Sequence, residues 1–136
     1  MTVEDAKALA SGAEADYWAG LAEGELRLQK CAACGTWHWP AVFRCAECGS
    51  WDHEWEPVEL SGAIYSWTRT WHPFGGLEEI EKPFVISVVQ LDGGGQARLV
   101  GIMDTPDDVR IGQKVTGHIA TTIYAGRSVP SIRWTT

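Results

Sequence analysis

Cys31-Ala-Ala-Cys34-Gly35 and Cys45-Ala-Glu-Cys48-Gly49 contain all four cysteines of this 136-residue chain. They form two C-x-x-C-G pairs separated by ten residues. Two residues between cysteines let a short turn aim both sulfurs at one ion, and four soft thiolates suit a tetrahedral metal. The glycine after each second cysteine permits a left-handed backbone that turns amide N–H groups toward the thiolates. A redox motif needs one such pair, so the duplication favours a Cys₄ metal site over redox cysteines, free buried cysteines or disulfides. Paired knuckles of this kind also hold iron in rubredoxins, but here the pairs stand closer together than in an electron-transfer rubredoxin. A tight clip with no further ligands predicts a closed structural site, with Zn²⁺ as the cofactor and Cys31, Cys34, Cys45 and Cys48 as its ligands. His38 and His53 lie nearby, but the tetrahedron is already filled.

The charge is unevenly spread around this clip. Residues 1–60 carry eleven acids and four bases, whereas residues 61–136 carry seven of each, giving −7 in all. An acidic ribbon is a poor start for a protein whose affinity would come from neutralising phosphates, which argues against nucleic acid as a partner. No run of about 18 apolar residues is present, so no membrane span is expected, and the N-terminus lacks a signal-peptide pattern. Cysteines engaged by a metal fit a reducing compartment, and a cytoplasmic protein is expected.

Upstream of the clip, residues 1–10 show no strong pattern. Ser11-Gly-Ala-Glu14 has the form of a capping box opening a helix that runs to about Glu23 and stops at Gly24. Tyr17, Trp18 and Leu21 fall on one face of it, to be covered either by the rest of this chain or by a partner. Leu26-Arg-Leu-Gln-Lys30 alternates as a ribbon strand should. Trp37, Trp39, Trp51 and Trp55, half of the eight tryptophans, flank the knuckles. Some should cover the metal site, and any left exposed would mark a contact surface.

From about Val58 the sequence becomes β-rich and punctuated by glycine. Five strands are expected: 63–71, with Tyr65, Trp67 and Trp71 on one face, then 84–91, 96–103, 114–124 and 128–134. Thr105-Pro-Asp-Asp108 suggests a short helical turn between the third and fourth. Five short strands with a non-hairpin link after the third match an OB-type barrel, and Gly62, Gly101 and Gly117 are expected where the strands bend. Residues 71–83 form the longest connection and are expected to act as a flap. The fold class is mainly β: a tail and helix over 1–25, a Cys₄ zinc ribbon over 26–57 and a five-stranded OB-fold barrel over 58–136.

In order along the chain, Tyr17-Trp18-x-Gly20-Leu21-x-x-Gly24-x-Leu26, Gln29-x-Cys31-x-x-Cys34-Gly35, Pro40 and Cys45-x-x-Cys48-Gly49-Ser50 resemble one known family. So do Gly62-x-Ile64-Tyr65-Ser66-Trp67-Thr68, Pro83-Phe84-Val85 and Val109-Arg110-Ile111-Gly112-Gln113-x-Val115. It is the acyl-CoA-associated family that joins a rubredoxin-like zinc ribbon to a C-terminal OB fold, and the likeness runs from residue 16 to the end. The extra tryptophans at 37, 39, 51 and 55 and the acidic 77–81 segment depart from its pattern and bear on partner choice. The resemblance implies an accessory subunit beside a thiolase-like enzyme, including the aldolases of steroid side-chain degradation. The reactive residues would belong to that partner, with acyl-CoA at the shared interface of a hetero-oligomer.

The residues themselves agree with that expectation. No cysteine is spare for acyl transfer, and G-x-S-x-G, P-loop and H-E-x-x-H patterns are missing. Asp107-Asp108 look like first-turn helix carboxylates, and Gly93-Gly94-Gly95 like a strand turn. Candidate contacts to a partner or substrate are Tyr17, Trp18, Trp37, Trp39, Trp71, His72 and Phe74. Candidate cations for the CoA phosphates are Arg69, Lys82, Arg98, Arg127 and Arg133. Two other functions are open to such a chain. One is single-stranded nucleic-acid binding on the OB strands, where Phe84 and Arg98 are the only aromatic and cation on strands two and three. The other is electron transfer through an iron-loaded clip.

Overall fold

A computed structural model describes residues 12–136. The chain divides into two compact units, one comprising residues up to Glu59 with Asp92–Ala97, the other Leu60–Leu91 with Arg98–Thr136. The proposed capping box depends on Ser11, which lies outside the described residues, as do residues 1–10.

In the first unit, α1 (Ala15–Ala22) is followed by Gly24 in a left-handed conformation, φ +83°, which ends the helix as its sequence position suggests. Glu14 stands at the N-cap without a side-chain capping bond. Tyr17, Ala19 and Leu21 are buried, and the helix packs against β1 (Arg27–Cys31). The Tyr17 ring lies 4.6 Å from that of Trp39. The apolar helix face is therefore covered by its own unit. β1 is the centre of a three-stranded antiparallel sheet, with β2 (Trp37–His38) on one side and β3 (His53–Pro57) on the other.

Asp92–Ala97 also belongs to this unit, and its glycines explain why. Gly94 and Gly95 have φ of 61° and 70°. A Cβ on Gly94 would sit 2.8 Å from Leu28 Cδ1, and one on Gly95 would sit 2.6 Å from Trp37 Cβ. The triglycine is a turn, as expected, and its lack of side chains lets it lie flat on the ribbon.

The second unit is a closed barrel with strand order β4-β5-β6-β8-β7. Its strands are β4 (Ser61–Thr70), β5 (Phe84–Leu91), β6 (Arg98–Met103), β7 (Lys114–Tyr124) and β8 (Arg127–Thr135). The core comprises Ile64, Val85, Val89, Leu91, Leu99, Met103, Val115, Ile132 and Trp134, the last completely buried. Trp134 accounts for two of the strand glycines. A Cβ on Gly101 would fall 2.5 Å from the indole Nε1, and one on Gly117 would fall 2.7 Å from Cζ3. These positions make room for a ring, a reason the sequence pattern did not reveal.

Two expectations are corrected. Tyr65, Trp67 and Trp71 do not share a face. The β4–β5 register shifts between Ile64 and Ser66, so Tyr65 occupies a bulge while Trp67 pairs with the buried Ser87. One extra residue reverses the alternation of everything after it. Trp71 lies beyond the strand. Thr105–Asp108 is not helical but a series of bends, with Asp108 at φ +55°, so its carboxylates do not sit on a helix dipole. Among the described residues, no helix is long and apolar enough to cross a membrane.

Candidate metal centre and contact surfaces

The two knuckles have the same backbone geometry. The Cys31 amide donates to Thr36 O at 2.8 Å and Gly35 to Cys31 O at 2.9 Å. The Cys45 amide donates to Ser50 O and Gly49 to Cys45 O, both at 2.9 Å. Gly35 and Gly49 have φ of +77° and +80°, which a Cβ would strain. These turns bring the four sulfurs within 4.8 Å of one another. Cys31 lies 3.6 Å from Cys48 and Cys34 lies 3.6 Å from Cys45, sulfur to sulfur. Tetrahedral Zn–S bonds of about 2.3 Å place sulfurs about 3.8 Å apart, so the cluster fits a four-coordinate ion.

The thiols differ in how readily they give up a proton. Cys31 is lowered, first by the Cys34 amide and further by that of Ala33. Cys34 is lowered to about 6 by the Thr36 hydroxyl, 3.2 Å away, and by the Thr36 amide. At Cys48 the Ser50 amide favours the thiolate, but crowding by Cys31, burial, Cys34 and Cys45 together push it up to about 12. A divalent cation would supply the charge that lets all four ionise together, releasing protons on binding.

His38 and His53 are not in the cluster; their rings meet edge to face at 6.2 Å, and His53 Nε2 lies 2.8 Å from Phe43 O. Of the ribbon tryptophans, Trp37, Trp39 and Trp55 are half-buried, whereas Trp51 is 67% exposed beneath the Arg44 guanidinium. Tyr17 is buried, and burial pushes its phenol up to about 12. Trp18 is half-buried, leaving it the more accessible of the two. In the 71–83 loop, Trp71, His72 and Phe74 are exposed, with the His72 and Phe74 rings 4.5 Å apart.

The candidate cations separate by their surroundings. Arg69 donates to Pro106 O at 2.7 Å and lies over Trp67. Arg98 stacks on Tyr65, 3.7 Å from the ring centroid. Lys82 donates to Leu77 O and Ile80 O, and Arg133 donates to Thr122 Oγ1 at 2.9 Å. Arg127 is exposed at the β7–β8 turn. The structure brings Lys82 and Arg133 together on a cavity of about 330 Å³ walled also by Pro83, Phe84, Ile102 and Met103. Glu81 and Asp104 on the same wall offset their charge.

Comparison with known proteins agrees with both units. Residues 18–54 match the ChsH2 rubredoxin-like zinc ribbon domain, and residues 55–119 match the ChsH2 C-terminal OB-fold domain. The chain belongs to the ChsH2 family. A solved chain of the Ltp2-ChsH2(DUF35) aldolase superposes with a TM-score of 0.74 at 29% identity, covering 88% of this chain and 92% of that one. A relative from Thermomonospora curvata, described as a probable enoyl-CoA hydratase alpha subunit, is 36% identical over 94 residues. That match covers 66% of this chain but 28% of the relative's length.

For this ChsH2-family chain, the roles of three residues around the candidate metal centre were not legible in the sequence. Thr36 and Ser50 follow the knuckle glycines and tune Cys34 and Cys48; the repeated C-G-[Thr/Ser] spacing was the available signal. Gln29, 2% exposed, clamps Val42 with both halves of its amide: Nε2 donates to Val42 O at 2.8 Å and Oε1 accepts from Val42 N at 2.9 Å. Gln29 thereby fixes the segment between the knuckles, a role that no local pattern announces.

Proposed function

We propose that this chain is a non-catalytic accessory subunit of a thiolase-fold acyl-CoA enzyme complex of aldolase or acyltransferase type, in which it helps shape the acyl-CoA site. The observation that carries this reading is the combined ribbon and barrel match over residues 18–119, together with the likeness to a chain of an aldolase assembly. The relative named as an enoyl-CoA hydratase subunit supports the link to CoA-ester chemistry. All four cysteines lie in one cluster, which leaves acyl transfer to a partner's residues. The cluster is proposed to hold a structural Zn²⁺ bound by Cys31, Cys34, Cys45 and Cys48. Its expected signature is a colourless protein with one equivalent of zinc; red protein with visible absorbance would mean iron. Lys82 and Arg133, which share one cavity, are proposed as the cations near the CoA phosphates.

The test is a tagged pull-down of the full chain from native cell extract, with nuclease added, followed by mass spectrometry. A stoichiometric thiolase-fold protein is expected, and that partner's chemistry would identify the substrate. Zinc-loaded chain recovered alone or with nucleic acid would overturn the proposal.

A further inference from the structure

The outward side of β5 and β6 breaks the usual pattern of a solvated sheet. Ile86 pairs with Ile102, Val88 with Val100 and Gln90 with Arg98. Residues directly opposite share a face. The alternate positions Val85, Ser87, Val89, Leu99, Gly101 and Met103 are buried, so these three pairs face outward. An antiparallel sheet with one face on a core normally turns polar residues to water. Here two adjacent pairs are β-branched and apolar, and Val100 is 61% exposed.

The bulge adds an aromatic to this face. Tyr65, 49% exposed, lies beneath the Arg98 guanidinium, 3.7 Å from ring centroid to Cζ, and Arg98 Nε donates to Gln90 Oε1 at 3.3 Å. The stack is already ordered, so little side-chain freedom is left to lose on association. Tyrosine and arginine beside an aliphatic centre are the residues that dominate protein interfaces.

The charge selects the kind of occupant. β4, β5 and β6 contain no aspartate or glutamate, and their charged residues are Arg69 and Arg98, in a chain of net charge −7. A nucleic-acid strand needs a track of cations along its phosphates, and this face offers only Arg98 at one end and Arg133, opposite Ile102, at the other. An apolar protein surface with a carboxylate at its rim complements it.

We propose that this face, centred on Val88 and Val100 and edged by the Tyr65–Arg98 stack, is where the enzyme subunit docks, presenting apolar side chains to the valines and a carboxylate to Arg98. The proposal rests on the accessory-subunit reading and names its interface. The full chain and its Val100→Glu, Arg98→Glu and Ile111→Ser variants are used as tagged bait in the same native extract and on a poly(dT) resin, with thermal melts to verify folding. Val100 and Arg98 are exposed, so both changes should leave the melts unaltered. Ile111, 72% exposed and outside strands β4, β5 and β6, is the control.

Wild type and Ile111→Ser should recover the thiolase-fold subunit equally, while Val100→Glu and Arg98→Glu recover at least about tenfold less. Added salt should weaken wild-type binding less than the loss of Arg98 does, because the valine contacts are unscreened. Equal recovery by all four folded proteins would overturn this interface and leave the accessory reading standing. No thiolase-fold subunit with wild type would overturn both. Retention on poly(dT) that Arg98→Glu abolishes would make the face a nucleic-acid site and overturn the docking proposal.

Discussion

The ribbon and the barrel contrast in what holds them together. The ribbon's sheet has one short central strand, its tryptophans are half-buried or exposed, and its two knuckles converge on four sulfurs. The barrel closes five strands around a completely buried Trp134 and a continuous aliphatic core. A small unit with little to bury needs a staple, whereas a closed barrel can rely on area removed from water. The difference explains why the chain's chemically distinctive residues cluster early and its packing-critical ones come late.

Metal removal should separate the two units most sharply. Structural zinc in small domains contributes roughly 10–16 kcal/mol of apparent binding energy. Chelation, or Cys45→Ser, is expected to abolish the ribbon's ordered tryptophan signals in near-ultraviolet circular dichroism while the barrel's far-ultraviolet strand signal persists. Loss of both signals together would show that the barrel depends on the clip.

Trp134→Ala should reverse that pattern. Removing a fully buried indole costs about 3–5 kcal/mol, so the barrel's melting transition should fall well below wild type while the metal bound per chain matches wild type. Gly117→Ala should act in the same direction, since its Cβ would meet the ring at 2.7 Å.

Gln29→Ala is a smaller, ribbon-specific change. It strands the half-buried Val42 amide and carbonyl, at about 1 kcal/mol, the low end for groups left unpaired. Faster loss of metal to a chelator, with the barrel's melt unmoved, is the expected result.

The smallest effect concerns Tyr17 at high pH. Its phenol is raised by burial from 10.0 to about 12. Below pH 10 the group is neutral in folded and unfolded chains alike, so its contribution is fully present. Between 10 and about 12 the unfolded chain releases the proton and the folded one does not, so stability falls as pH rises through that window. Ultraviolet titration should show one late-ionising phenol, absent in Tyr17→Phe, whose stability should lack this Tyr17-linked loss across that window.

Much of the ribbon was legible because its signals are local. Two C-x-x-C-G repeats, Gly24 at a helix end and the alternation of residues 26–30 each specify geometry within a few residues. The five barrel strands were legible for the same reason, from β-rich runs bounded by glycine and polar turns. The bulge at Tyr65 was not, because an extra residue in one strand appears only against its partner's register. The bends at 105–108 defeated a helix-start pattern, Pro followed by two acids, that lacks an apolar face to bury.

Sequence alone therefore determined the clip, the five barrel strands and the acidic ribbon, since each depends on residue type and short spacing. Only the tertiary structure decided that Tyr17 is covered by its own unit, that Gly101 and Gly117 exist to seat Trp134, and that Arg98 lies on Tyr65 beside an apolar sheet face. Those facts depend on which distant residues become neighbours, and register and packing set that when the chain closes on itself.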